Sequence, residues 1–460
     1  MSQLNKLGSM PISRLLLDMA LPACSGILVI MLYNVIDTMF VGHYAGPMAI
    51  AGLSVVLPVS LLLPTLGMAI GVGSSSIISR SLGAQDVETA KSAFCNAFSM
   101  AIAVGVSMTA LCALYAEDIL YVFGGRGDIL PYAMDYYRII LIGIPFLGSW
   151  MCLNNTLRAE GHTKQAMKGM CLSSAINVIL DAILIAYMDM GLKGAAIATV
   201  ISQVFALFYS ILFYLRGKSH LSFELKHFRW QKKILKEIFA LGASTFARQG
   251  AGSAMVILLN QSLYIYGGAI SVAVYGVVHR IMSLLFVPVI GITQGFLPIA
   301  GYNFGAKQYD RVREVIFKSI MMGTLICSML AAVVWMFPEA FILLFTNDPT
   351  ILEVGSNGLK IITLAMPVIA AQNIGAAYYQ AIGKPLLAFI LTVSRQVLIL
   401  IPMLYILPKF YAMQGVWLSF PISDILATGI TIAVFIKELP KLKALSEKIK
   451  KSPSKTATDL

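Results

Sequence analysis

The chain has 460 residues, of which 58% are hydrophobic and only 12% are charged, and its formal net charge is +12. A soluble globular protein carries about 25% charged residues, so this composition excludes that class and predicts a polytopic membrane protein. The six cysteines lie inside apolar segments without paired spacing, which argues against a disulfide framework or a metal site.

Twelve apolar segments are long enough to cross a bilayer, because a transmembrane helix needs about 20 predominantly apolar residues. They cover approximately residues 15–43, 48–79, 93–115, 130–156, 166–188, 192–215, 238–266, 269–301, 315–344, 355–381, 386–408 and 412–436. The sequence contains no HExxH motif and no P-loop, and its five histidines are scattered over loops and separate spans. We therefore expect an all-α membrane protein that is not an enzyme and has no cofactor.

Lysine and arginine are concentrated in the even-numbered loops between these spans, whereas the odd-numbered loops contain few. Short cytoplasmic loops retain positive charge, so this asymmetry predicts a multi-pass protein of the cell (inner) membrane with both termini in the cytoplasm. The net positive charge is then explained by topology and by attraction to anionic membrane lipids, and no nucleic-acid partner is expected.

The two halves of the chain resemble each other at an offset of 222 residues, where Gly83 matches Gly305 and Pro145 matches Pro367. Each half contains six predicted spans, so the second copy enters the membrane in the same orientation as the first. This predicts two parallel six-helix bundles around a central cavity. The predicted parts are an N-terminal lobe (1–215), a basic cytoplasmic linker (216–237), a C-terminal lobe (238–436) and a basic cytoplasmic tail (437–460).

The predicted linker is basic, amphipathic and too polar to span a membrane. Aromatic side chains on such a segment favour the membrane–water interface. Phe223, Phe228 and Trp230 are therefore the predicted membrane-surface anchors.

Two carboxylates inside the spans are predicted to lie at the same depth. Asp37 and Asp181 each lie about six or seven residues before the outer ends of spans 1 and 5, and Thr199 lies about seven residues after the start of span 6. At a rise of about 1.5 Å per residue, all three lie about 10 Å below the outer surface. Asn177 shares the helical face of Asp181, four residues before it. Carboxylate, amide and hydroxyl oxygens at one depth predict a site for H⁺ or Na⁺ and not for a transition metal.

Long stretches of the sequence resemble the multidrug and toxic compound extrusion (MATE) family. These stretches are MALPACSGILVIMLYNVIDTMFVGHYAGPMAIAGLS, GVGSSSIISRSLGAQD and GITQGFLPIAGYNFGAKQYDRVREV. The resemblance implies drug export coupled to ion entry, with a buried acidic pair, Asn and Thr of the N-terminal bundle as the coupling site. The positions that match are Asp37, Asn177, Asp181 and Thr199, with Asn34 one turn before Asp37 as an additional candidate.

Some members of the family carry acidic ion ligands in the C-terminal bundle, and the second half of this sequence lacks acidic residues at the corresponding positions. At the repeat offset, Asp37 corresponds to Leu259 and Asp181 corresponds to Met403. Coupling is therefore expected in the first half only.

Two opposite charges lie at similar depths in the second half, Arg395 in span 11 and Asp424 in span 12. A charge inside a span is expensive unless it is paired or faces water. We expect a structural ion pair between these two side chains. The alternative is that Asp424 faces the cavity and attracts a cation.

Several polar and aromatic residues are candidates for lining a drug-binding cavity. They are Tyr136, Tyr137, Asn154, Asn155, Arg248, Gln372, Asn373, Tyr378 and Tyr379. The predicted function is a monomeric secondary antiporter that exports cationic or amphipathic small molecules in exchange for H⁺ or Na⁺. A flippase for a lipid-linked precursor in the same superfamily is the alternative, and it would need a cavity rich in Arg and Lys.

Overall fold

The computed structural model describes residues 3–451, and these residues contain helices but no β-strand. Residues 452–460 of the predicted tail lie outside the described part. The α-helices are α1 (Gln3–Ser9), α2 (Ile12–Phe40), α3 (Gly46–Gly83), α4 (Val87–Leu114), α5 (Ala116–Val122), α6 (Ile129–Ala159), α7 (Thr163–Asp181), α8 (Gly191–Leu215), α9 (Lys232–Leu285), α10 (Val287–Gly305), α11 (Tyr309–Met336), α12 (Pro338–Leu343), α13 (Pro349–Thr363), α14 (Met366–Ala381), α15 (Pro385–Val393) and α16 (Ile401–Lys451). Three π-helical segments, Val41–Ala45, Ala182–Tyr187 and Ser394–Leu400, and one 3₁₀ turn, Leu225–Phe228, complete the described elements.

The predicted spans correspond to these helices, although several are broken. Within residues 3–451, nine helical runs are long and apolar enough to cross a membrane, and α13 with α14 forms a tenth candidate that is bent by 50°. Two of the nine, Lys232–Gly305 and Pro385–Lys451, contain 74 and 67 residues, enough for two spans each. Non-helical backbone at Gly268 and Ala412 divides these two runs where the sequence separates spans 7 from 8 and 11 from 12. The prediction of an all-α protein with twelve transmembrane helices is confirmed.

Gly268 makes the first of these breaks possible. Its backbone angles are φ 69° and ψ −172°, a combination that essentially only glycine adopts because it has no Cβ. The chain can therefore leave span 7 and enter span 8 without an intervening loop.

The described chain forms two compact units. The N-lobe comprises Leu21–Ile78 and Asp86–Gln249. The C-lobe comprises the chain up to Ala20, the short segment Ser79–Gln85 and the chain from Gly250 onward. The linker therefore belongs to the N-lobe, and the first predicted span begins in one lobe and ends in the other.

The start of the chain packs in the C-lobe, whereas the sequence analysis predicts an N-terminal lobe over residues 1–215. Hydrogen bonds explain this packing. The Asn303 amide donates to the Leu7 carbonyl oxygen (3.0 Å). The Arg311 guanidinium donates to the carbonyl oxygens of Leu7 (3.2 Å) and Met10 (2.8 Å). Carbonyls near the end of α1 have no partner within their own helix, so these two side chains satisfy them.

Close helix packing fixes the position of α6 in the N-lobe. A Cβ atom on Gly67 of α3 would lie 2.3 Å from the Cα atom of Gly148 on α6. Only glycine at position 67 permits this approach, which brings the backbones of the two helices together.

The linker packs on α4, and this corrects the prediction that Phe223 anchors it in the membrane. The Phe223 ring lies 4.8 Å from the Phe94 ring and 5.2 Å from the Phe98 ring, centroid to centroid, and stacks on Phe228 at 6.3 Å. These ring contacts cover part of the apolar surface of Phe223, which is half-buried against protein. Trp230 is 61% exposed and remains available for a membrane surface.

Glu160, directly after α6, holds the beginning of the linker. Its side chain is completely buried. It accepts hydrogen bonds from the Ser219 hydroxyl (2.7 and 2.8 Å to its two oxygens) and from the backbone N–H groups of His220 (3.0 Å) and Leu221 (3.3 Å). Burial raises the pKa of Glu160 to about 7, although these hydrogen bonds oppose the shift.

Replacing Glu160 with Gln is expected to weaken the pH dependence of stability. The pKa of about 7 in the folded state lies above the ordinary value of 4.5, so the folded state binds this proton more tightly than the unfolded state. The resulting stabilisation is fully present below the unfolded pKa and is lost as the pH rises through the folded pKa. It corresponds to about 3 kcal/mol. Between about pH 5 and about pH 8, the Tm of wild type in detergent should therefore fall more than that of Glu160→Gln.

The matched control is Glu353→Gln, which changes an exposed carboxylate. This variant should show the same pH dependence of Tm as wild type. Equal pH dependence of wild type and Glu160→Gln would contradict the assignment.

Candidate functional site

Three helices of the N-lobe place four polar side chains in one region. Asp37 lies on α2, Asp181 is the last residue of α7 with Asn177 one turn before it, and Thr199 lies on α8. The Asn177 amide donates to the Thr199 hydroxyl at 3.4 Å, which connects α7 to α8. Asn177 and Asp181 are both fully buried.

The carboxyl groups of Asp37 and Asp181 are close enough to interact directly, and neither oxygen of Asp181 has a hydrogen-bond partner among the described residues. Two ionised carboxylates can only accept hydrogen bonds, so a bond between them requires a proton on one of them. Without a proton or a cation, two negative charges would be held together in a poorly solvated environment, which is strongly unfavourable. The pair is therefore suited to bind one positive charge.

Four oxygen atoms of this region are buried without a hydrogen-bond partner among the described residues. They are Oδ1 of Asp37, Oδ1 of Asn177 and both carboxylate oxygens of Asp181. A buried acceptor without a partner costs about 1–3 kcal/mol, so four together are unusual unless a ligand satisfies them. Oxygen ligands suit a proton or a hard cation such as Na⁺. Within residues 3–451, no group of three His, Cys, Asp or Glu residues is arranged to hold a metal ion.

Two tyrosines surround the acidic pair, and the sequence did not assign either of them to the coupling site. Tyr33 lies four residues before Asp37 on α2, and Tyr136 is buried on α6. Both phenol groups are close enough to interact electrostatically with Asp37 and Asp181. Residues four apart lie on the same face of a helix, so the sequence spacing alone predicts that Tyr33 lies beside Asp37.

Both acidic residues lie next to a π-helical segment. Asp181 is followed directly by Ala182–Tyr187, and Asp37 precedes Val41–Ala45 by four residues. Single π-helical turns inside α-helices occur frequently at functional sites.

The structure does not bring Asn34 into this site. Its side chain is exposed, and its amide donates to the carbonyl oxygen of Ile30 in the same helix at 2.9 Å. Asn34 therefore bonds to its own helix and not to the acidic pair.

Most of the predicted cavity-lining residues are buried inside a lobe. The side chains that are at most 8% exposed are those of Tyr136, Tyr137, Asn154, Asn155, Gln372, Tyr378 and Tyr379. The amides of Asn154 and Gln372 donate to the backbone carbonyls of Ala166 and Leu391, both at 3.0 Å. Their polar groups are therefore used to hold neighbouring helices together. The two candidates that are not buried are Arg248 and Asn373.

In the C-lobe, Arg395 and Asp424 form a direct ion pair. Nε of Arg395, in the π-helical segment Ser394–Leu400, donates to Oδ1 of Asp424. Asp424 is only 3% exposed, and the Arg395 guanidinium also lies over the Phe286 ring, 5.7 Å from its centroid. This is the arrangement expected for a structural pair, since the buried carboxylate already has a cationic partner.

The family model MatE matches residues 22–183 and 251–406, so the match includes both halves of the chain. The chain belongs to the MATE family. As a MATE family member it is a multi-pass membrane transporter and not an enzyme. The MATE family relationship also explains why the two halves share one pattern of spans.

Individual relatives agree over nearly the full length. The Multidrug export protein MepA of Staphylococcus aureus (strain NCTC 8325 / PS 47) is 29% identical over 416 residues, which is 90% of this chain and 91% of the relative. A solved structure of MATE in the bent conformation has a TM-score of 0.92 and 25% identity, covering 97% of this chain and 99% of the other. A MOP superfamily transporter from Pyrococcus furiosus, described as having a binding pocket of reverse polarity that suggests a different function, has a TM-score of 0.89 and 25% identity and covers 95% of this chain and 98% of its own.

Proposed function

We propose that this MATE transporter is an antiporter that exports cationic or amphipathic small molecules from the cell in exchange for H⁺ or Na⁺. The observation that carries the proposal is the acidic pair Asp37–Asp181, whose buried oxygens have no partner among the described residues. The name of the MepA relative, a multidrug export protein, supports the substrate class.

The geometry of the pair gives each carboxylate a separate part in ion coupling. Asp181 is fully buried, whereas Asp37 is only partly buried. An entering ion therefore meets Asp37 first and is then shared with Asp181. The buried amide oxygen of Asn177 supplies a further ligand, and its amide bond to Thr199 holds it in position.

Export requires that the ion and the drug oppose each other's binding. Occupation of the pair by a proton or Na⁺ removes one negative charge from this region, which weakens the attraction for a cationic drug. By linkage, a bound cationic drug lowers the affinity for the ion by the same factor. Such negative coupling allows an inward ion gradient to drive drug outward.

The basic linker supports a cytoplasmic placement of both termini. Loops that are rich in Lys and Arg stay on the cytoplasmic side. The linker packs on the N-lobe through the Asn96 side chain, which donates to the carbonyl oxygens of His227 and Arg229 (3.1 and 3.2 Å). A cytoplasmic linker following six spans places the N-terminus in the cytoplasm, and six further spans return the C-terminus to the same side.

The test is efflux of ethidium from proteoliposomes that contain the purified transporter. An imposed proton gradient and an imposed Na⁺ gradient are applied separately, with protein-free liposomes and with a protonophore or a Na⁺ ionophore as controls. We expect one of the gradients to drive efflux, and that gradient identifies the coupling ion. If neither gradient moves ethidium or a second lipophilic cation, the proposal is wrong and a lipid-flipping assay becomes the appropriate measurement.

A further inference from the structure

A cavity lies in the N-lobe, between the end of α4, the short helix α5 and the first half of α6. Its volume is about 520 Å³. Its lining includes Thr109, Leu114, Glu117, Asp118, Arg138 and Ile142. None of these residues belongs to the acidic pair or its tyrosine neighbours, so the cavity is separate from the coupling site.

The charged groups of this cavity have opposite signs and are not used elsewhere. Arg138 contributes a guanidinium, and Glu117 and Asp118 contribute two carboxylates. Within the part of the chain that the structure describes, these three side chains are exposed and none has a hydrogen bond or an ion pair. The cavity therefore offers a cationic and an anionic group to a ligand at the same time.

The cavity opens on an apolar surface. Leu114 is 78% exposed and Ile142 is 61% exposed, although both lie on candidate membrane spans. In a membrane, such side chains face the lipid chains. An arginine among them would be costly unless its charge reached a polar partner at the interface, which a long side chain allows. The Thr109 hydroxyl donates to the Leu141 carbonyl (2.9 Å), which holds α4 and α6 together at the wall of the cavity.

We propose that this cavity binds the headgroup of a zwitterionic aminophospholipid such as phosphatidylethanolamine. The lipid phosphate lies on Arg138, the primary ammonium lies between Glu117 and Asp118, and the acyl chains run along Leu114 and Ile142. The volume lies within the range of about 300–1,000 Å³ that is typical of small-molecule sites.

The charge pattern selects this lipid over the common alternatives. An anionic lipid without an amine would place its negative headgroup beside two carboxylates, which is unfavourable. A choline headgroup carries a positive charge but has no N–H to donate to Glu117 or Asp118. A primary ammonium can donate three hydrogen bonds, and charge-assisted bonds of this kind are the strong ones.

The experiment is native mass spectrometry of the full-length transporter in detergent, titrated separately with phosphatidylethanolamine, phosphatidylcholine and phosphatidylglycerol. We expect wild type to bind phosphatidylethanolamine most tightly. Arg138→Ala should lower this affinity by about tenfold or more, because a charge-assisted bond contributes about 1.5–3 kcal/mol. The double variant Glu117→Gln, Asp118→Asn should bind phosphatidylethanolamine and phosphatidylcholine equally.

Two further variants keep the test independent of folding. Arg126→Ala removes an arginine that lies over the Tyr121 ring (4.7 Å) and does not line the cavity, so it should bind lipid as wild type does. Arg138→Lys keeps the positive charge and should bind more lipid than Arg138→Ala.

Inorganic phosphate, added as a competitor, should displace little lipid if the whole headgroup is recognised. Equal binding of the three lipids by wild type, unchanged binding by Arg138→Ala, displacement by phosphate alone, or displacement by ethidium would each overturn the proposal.

Discussion

Asp181→Asn is expected to abolish ion-driven efflux by the reconstituted transporter, and Asp37→Asn is expected to reduce it strongly. Asn has nearly the shape of a protonated Asp, but it cannot lose or bind the proton. The variant therefore stays permanently neutral and cannot cycle between the ion-bound and ion-free forms. Because ion and drug are coupled by about 5- to 150-fold in typical cases, loss of the coupling should remove most of the gradient-dependent transport.

The two variants should differ because their environments differ. Asp181 is fully buried with both oxygens lacking a partner among the described residues, whereas only Oδ1 of Asp37 is in this state. Asp181 should therefore be the less replaceable partner. The measurement is the initial rate of ethidium efflux with the imposed gradient, compared with the rate of equilibrium exchange without a gradient.

Asp128→Asn is the matched control, since Asp128 is an exposed carboxylate at the N-cap of α6 whose side chain makes no capping hydrogen bond. This variant should transport like wild type. Binding of ethidium to the Asp181→Asn variant, measured by fluorescence anisotropy, separates loss of coupling from loss of the substrate site. Wild-type efflux rates in Asp181→Asn under the effective gradient would place the coupling site elsewhere.

The residues of the acidic pair could be predicted because helix geometry converts sequence position into depth. The rise per residue is nearly constant in a helix, so Asp37, Asp181 and Thr199 could be placed at one level from the ends of their spans. The position of Tyr33 near the acidic pair could also be predicted by this reasoning, since Tyr33 lies one turn before Asp37 on the same helix. The position of Tyr136 could not be predicted, because its approach to the acidic pair depends on how α6 packs in the lobe.

Other features depended on contacts that sequence patterns do not record. An apolar residue in an amphipathic segment can face either lipid or protein, and Phe223 faces α4. Asn154 and Gln372 are predicted from the sequence to line a cavity, and in the structure their amides donate to backbone carbonyls on neighbouring segments. The start of the chain belongs to the C-lobe because of hydrogen bonds from Arg311, about 300 residues away. Long-range pairing of this kind has no periodic signature.

Arg395→Met is expected to destabilise the transporter more than Asp424→Asn does. Removing the arginine leaves the Asp424 carboxylate buried without its cation, and breaking a buried ion pair in this way costs about 3–5 kcal/mol. Removing the aspartate charge leaves an arginine whose side chain is 23% exposed and lies over the Phe286 ring. That guanidinium retains access to other partners, so Asp424→Asn should lower the stability less than Arg395→Met does.

The double variant Arg395→Met, Asp424→Leu should recover stability close to wild type, because replacing both members of a buried pair with apolar groups is often neutral or favourable. Thermal unfolding in detergent of wild type, both single variants and the double variant gives the interaction energy as a double-mutant cycle. If Asp424 instead bound the coupling ion, Asp424→Asn would abolish ethidium efflux while leaving Tm unchanged. An ion pair that serves structure predicts the opposite outcome: a lower Tm for each single variant, recovered in the double variant, and gradient-driven efflux in every variant that folds.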